Sequence, residues 1–148
     1  MKKFEKQYNL LGLEAPSCEI DPREKAEIIF YAACKKKGVD PSILPVVHQL
    51  PERFQVFPVV SYQLEMIAEV LLDGKKKNYN DRQQDKWGPW FWMNNPGFRF
   101  FAAHYDFVDT VVTGGPRLSL LSAEDVEFFA EECIAFWADF CGGQLPIK

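Results

Sequence analysis

The sequence predicts a single α+β domain over residues 1–148: two to three amphipathic helices, a three-stranded antiparallel β-meander, and a C-terminal helix packed on the sheet. Three observations carry that prediction. Apolar residues recur at intervals of three and four between residues 21 and 73, and again between 122 and 141, the period of a helix with one buried face. Between 87 and 121 the period changes to two, in stretches rich in aromatic and β-branched residues. A polar loop, GKKKNYNDRQQDKWGP, separates the two regimes. The length, 148 residues, is that of one ordinary domain, enough to bury roughly two-thirds of the unfolded chain's surface around one core.

Residues 1–20 read as a loosely attached arm whose Phe4, Leu10, Leu11 and Leu13 can dock on the body. In DPREKAEIIFYAACKKKG, Asp21 can cap a helix, Pro22 suits its first position, and Glu24 sits at its positive end. Ala26, Ile29, Phe30 and Ala33 share the inward face, and Gly38 ends the helix. VDPSILPVVHQLP holds three prolines in thirteen residues, so it reads as a connector with at most one short helical piece. From Phe54 to Asp73 a wide stripe of Phe57, Val60, Leu64, Ile67, Ala68 and Leu71 predicts a largely buried helix with Pro58 at or near its start. In SAEDVEFFAEECIAFWADFCGG, Ser122 is a cap, Gly142 a terminator, and Val126, Phe129, Ala130, Cys133, Trp137 and Phe140 the inward stripe of one continuous helix.

The strands are expected in WFWM, FRFFAAHYDF and RLSLL, with a type II turn at NPGF and VVTGGP as the second connection. On the middle strand Phe101, Ala103, Tyr105 and Phe107 share one face, while Phe98, Phe100, Ala102, His104 and Asp106 share the other. Only the first face stays apolar throughout, so the helices are expected to cover it. Trp90 and Trp92 point to a common side, and a three-stranded sheet packed on helices has one dry side, which leaves some rings exposed. Exposed Trp and Tyr bring large contact area at low entropic cost. On the last helix Phe128 lies ~160° from the inward stripe at ~100° per residue, amid Glu124, Glu131, Glu132 and Asp139, which nominates it as an outward contact. The candidate binding residues are therefore Trp87, Trp90, Trp92, Arg99, Tyr105, Arg117 and Phe128.

Composition narrows the chemistry. A net charge of −4 argues against a general polyanion binder. Rings on a sheet beside Lys75, Lys76, Lys77, Arg82 and Lys86 nevertheless make a single-stranded nucleic-acid binder the second reading. The opening MKKFEKQYNLLGL is interrupted by polar residues before a secretory apolar core can form. No apolar run reaches about 18 residues, and a cytoplasmic protein without membrane association is expected. Cys18, Cys34, Cys133 and Cys141 form no Cys-x-x-Cys pair and read as free thiols. On one helix Cys133 and Cys141 would stand ~12 Å apart, too far to bridge. His104 and Asp106 have the spacing of two metal ligands, but no third can be named. His48 reads as a turn or surface residue, TGGPR lacks the lysine of a phosphate loop, and no Gly-x-Ser-x-Gly is present. No catalytic residue, metal or cofactor is assigned, and an enzyme with an unrecognised site is the third reading.

The order of VDPSILPVVHQLPERF, SYQLEMIAEVLLDG, KWGPWFWMNNPGFRF and GGPRLSLLSAEDVEFFAEECIAFWADF resembles a family of small uncharacterised proteins from gut Bacteroidetes genomes and their phages or other mobile elements. The resemblance covers residues 24 to 141. Members often carry Gly-Ser-Arg-Leu where this chain has Gly115, Pro116, Arg117 and Leu118, and more tryptophan where it has Asn78 and Tyr79. The resemblance implies a phage-related, intracellular role and assigns no catalytic residue. The function expected is a non-enzymatic binding or accessory protein that meets a protein partner, or a second copy of itself, through a partly exposed aromatic sheet face.

Overall fold

The computed structural model describes residues 2–106 and 116–146. Helix α1 spans Glu5–Leu10, α2 Pro22–Lys37 and α3 Val56–Leu72; strand β1 spans Lys86–Trp92 and β2 Arg99–Asp106; α4 spans Ala123–Glu132 and α5 Ile134–Cys141. Short 3-10 turns lie at Glu52–Phe54 and Pro116–Leu118.

Local chemistry starts and stops the helices much as the sequence predicts. The Asp21 carboxylate accepts from the Arg23 and Glu24 amides at 3.1 and 3.2 Å, satisfying two of the donors that a helix start leaves open. Gly38 closes α2 in the left-handed region at φ 67°, behind three lysines placed at the negative end of the helix dipole. Ala26, Ile29, Phe30 and Ala33 are all buried. Helix α3 begins two residues before Pro58, so the proline falls in the first turn, where its missing N–H costs nothing. Both helices pack on each other, and α5 lies against the pair.

The single C-terminal helix of the sequence reading is two helices. Ser122 caps α4 by accepting from the Asp125 amide at 3.2 Å, but Cys133 leaves helical geometry at φ −107°, ψ 24°. The break divides the labour: α4 packs on β1 and β2, whereas α5 packs on α2 and α3. Across it the Trp137 indole N–H donates to the Phe129 carbonyl at 3.1 Å. A run of rings, Phe57–Phe140–Trp137–Phe91–Phe98, then joins the α3 end of the core to the sheet.

The sheet departs further from expectation. Among the described residues it has two antiparallel strands, not three. RLSLL supplies one isolated bridge, in which Leu120 and Trp87 exchange backbone hydrogen bonds at 2.7 and 2.8 Å. The bridge is to β1, so β2 is not the middle strand. Leu118, Ser119 and Leu120 are all buried, and three consecutive buried residues pass through the core rather than lie half-covered on a sheet. Most of VVTGGP falls in residues 107–115, outside the described residues. At NPGF the Asn95–Pro96 peptide is cis, and the Gly97 amide donates to the Asn94 carbonyl at 2.9 Å, which replaces the predicted type II turn by one with proline at its third position.

Two further readings are corrected by the N-terminus. The arm is not loosely attached: Phe4, Tyr8 and Leu11 are buried, and α1 lies over α4. Phe128, expected to face outward, is fully buried because the Phe4 and Tyr8 rings meet it edge-on with centroids 5.5 and 5.2 Å away. Around these rings Lys3 pairs with Glu131 at 2.6 Å, Gln7 donates to Asp125 at 2.9 Å, and the Tyr8 hydroxyl donates to Glu132. The acidic surface of α4 therefore receives the chain's own first helix.

Candidate functional site

The faces of the β1–β2 ribbon are set by a bulge. Phe91 pairs with Phe100 and Trp90 with Ala102, so Phe101 is the extra residue on β2. Because side chains alternate with period two, one inserted residue reverses the faces beyond it. Ala103 therefore packs toward the helices as predicted, but Phe101 does not; it turns outward, while Phe98 is fully buried. Trp87 and Phe91 of β1 also pack on the core.

The outward face then carries Trp90, Phe101 and Trp92, which are 54%, 53% and 44% exposed. Trp90 lies over His104 with centroids 5.0 Å apart, and Trp92 meets Phe101 edge-on at 4.7 Å. The Arg99 guanidinium stands 5.8 Å from the Trp92 ring and is held by the Asn94 and Gly97 carbonyls at 3.1 and 2.9 Å. The rings are thus braced by neighbours, so ordering them in any contact would cost little entropy. Met93, just past the strand end, is also exposed.

Of the sequence-predicted contact residues, the structure brings together Trp90, Trp92 and Arg99. Trp87 and Tyr105 pair on the opposite side of the ribbon, 5.4 Å apart, with Tyr105 exposed at its end. Arg117 is elsewhere, on the turn after the undescribed residues, where its guanidinium pairs with Glu65 of α3. Phe128 is interior. Phe101 is expected on the covered face, and its place beside Trp92 depends on the bulge, which no residue type announces; His104 lies on the face opposite Ala103, as alternation predicts, and meets Trp90 there.

The lysine loop is less open than its composition implies. Lys86 is buried, and its ammonium donates to the Asn78 and Asp81 carbonyls at 2.7 and 3.0 Å. Lys77 donates to the Arg117 carbonyl at 3.0 Å, and burial, then the Arg117 charge, lowers its pKa. Lys75, Lys76 and Arg82 face outward.

Among the described residues no three His, Cys, Asp or Glu side chains are grouped to hold a metal. All four cysteines are free thiols, and burial raises the pKa of Cys34, Cys133 and Cys141 away from the reactive thiolate. A surface hollow of about 560 Å³ beside α1 is lined in part by Tyr8, Lys25 and Glu132, but these groups already satisfy one another. Among the described residues no helix is long and apolar enough to cross a membrane. Comparison of the chain with protein-family models, curated proteins and solved structures finds no match.

Proposed function

We propose that the protein is a non-enzymatic binding or accessory protein whose ribbon face of Trp90, Trp92 and Phe101 contacts another protein. One observation carries this reading: three large rings stand about half-exposed on one face of a ribbon whose other face packs on the core through Trp87, Phe91 and Ala103. A contiguous group of this kind is an unusual use of surface, whereas single exposed apolar residues are ordinary. The motif resemblance adds an expected setting, a phage-related or mobile-element-related role inside the cell.

The test is co-purification from the native host with the wild-type chain and a Trp90→Ala/Trp92→Ala variant. A partner held by the first and lost by the second supports the reading; a partner held equally by both overturns it. Single-stranded nucleic acid is the second reading, supported by stackable rings on the ribbon and by the exposed Lys75 and Lys76. Such binding would weaken steeply with salt, so an oligonucleotide titrated at two ionic strengths separates it from protein contact.

A further inference from the structure

We propose that the occupant of the aromatic face is a second copy of the chain, in a two-fold dimer where each copy's segment Ile43–Leu50 lies on the other's Trp90, Trp92 and Phe101. This deepens the protein-contact reading and rests on it.

The segment is another apolar stretch of the surface. Ile43 and Val46 are 65% and 77% exposed, and Leu44 and Leu50 are exposed as well. Residues 43–47 belong to no helix or strand. Yet the ends are pinned: Ser42 donates through its amide and hydroxyl to Asp40 at 2.9 and 2.7 Å, and Gln55 donates to the Leu50 carbonyl at 2.8 Å. Pro41, Pro45 and Pro51 restrict the backbone between and beside those pins. A restrained apolar strip loses little freedom on docking, and proline-bearing strips are what aromatic-lined surfaces receive.

Size favours a reciprocal contact. Three rings that can bury ~150–250 Å² each, about half-exposed, offer roughly 225–375 Å² on the ribbon. That falls short of the ~800 Å² per partner of a stable interface, so ribbon against ribbon alone is insufficient. When each copy contributes both ribbon and segment, the buried area per partner roughly doubles, to about 450–750 Å², and overlaps the lower end of that class, about 600 Å² per partner. Charge agrees. Ribbon against ribbon would bring Arg99 toward Arg99, whereas the segment arrives flanked by Asp40 and Glu52, of opposite sign.

Sedimentation of the full-length chain over a range of concentrations tests the dimer. The wild type should form a dimer and no higher species. Val46→Glu and Trp90→Ala/Trp92→Ala, both at exposed positions, should keep the wild-type circular dichroism yet each raise the dissociation constant about tenfold or more. Mixed together, the two variants should form a heterodimer tighter than either homodimer, because one of the two reciprocal contacts is then intact. A wild type that stays monomeric overturns the dimer and leaves the aromatic-face reading to co-purification. A dimer indifferent to Val46→Glu overturns the assigned occupant, and a mixture no tighter than its components overturns the reciprocal arrangement.

Discussion

Cys133 sits with no exposed surface at the break between α4 and α5; burial first, then the Glu132 charge, pushes its thiol well above the usual range against an opposing pull from Lys25. Tyr8 is shifted the same way, by burial and then by its hydrogen bond to Glu132. In both groups the folded chain keeps a proton that the unfolded chain releases. Their contributions are therefore fully present below the unfolded pKa values, ~8.5 for the thiol and ~10 for the phenol, and are lost as pH rises beyond them. Stability should fall above about pH 8.5, by up to ~1.4 kcal/mol per pH unit for each group. Urea unfolding at a series of alkaline pH values measures this: Cys133→Ala should flatten the earlier part of the fall and Tyr8→Phe the later part. Cys34 and Cys141, also raised by burial, leave a residual slope; a midpoint that ignores alkali would contradict the burial. Two glycines give a second comparison. A Cβ on Gly143 would stand 2.5 Å from the Phe98 ring, whereas one on Gly97, at φ 144°, would stand 2.8 Å from the Pro146 backbone nitrogen. A ring can shift and a backbone at positive φ cannot adapt as readily, so Gly143→Ala should cost about 1–3 kcal/mol and Gly97→Ala more, by the same unfolding measurement. The NPG sequence showed that a turn was needed there; it did not show that the C-terminal segment packs against it.

Elements were legible where a local signal decides them. Asp21, Pro22 and Gly38 delimit α2, and Ser122 starts α4, because caps act within four residues and need no tertiary partner. What could not be read was what each surface meets. The polar surroundings of Phe128 mark a solvent face by periodicity, yet Lys3, Gln7 and Tyr8 of the first segment pair with Glu131, Asp125 and Glu132 around it. The acidic residues thus serve as polar partners at the edge of a buried contact. Phe128→Ala should accordingly cost about 3–5 kcal/mol, as deletion of a core ring does. A surface ring at that position would cost no more than about 0.5 kcal/mol, so chemical denaturation distinguishes the two placements directly. Hydrogen exchange adds a readout confined to the element: amides of α1 in the variant should lose protection before those of α2 and α3, since docking on α4 rather than its six-residue length holds α1 in place.

At the scale of the whole molecule, the α+β class and the surplus of rings over covered positions both followed from the sequence, since composition and period are global counts. The assignment of particular rings did not, because the bulge at Phe101 reverses β2 part-way along, and because Leu118–Leu120 entered the core where a third strand was expected. The consequence is a division among the tryptophans: Trp137 is 4% exposed, whereas Trp90 and Trp92 are 54% and 44% exposed. Trp137 touches Phe91, Phe129 and Phe140 and donates its indole N–H to a backbone carbonyl, linking the sheet to both C-terminal helices. Trp137→Ala should therefore cost about 3–5 kcal/mol and lower the cooperativity of unfolding across both layers. Trp90→Ala/Trp92→Ala should cost no more than about 1 kcal/mol, since the rings removed rest on His104, Phe101 and Arg99 at the solvent side of the ribbon. Acrylamide quenching provides the independent check: the double variant should lose most of the accessible fluorescence while the protected fraction, from buried Trp137 and half-buried Trp87, persists. If instead the double variant unfolds as readily as Trp137→Ala, the ribbon's outer rings are part of the core and no face is left for a partner.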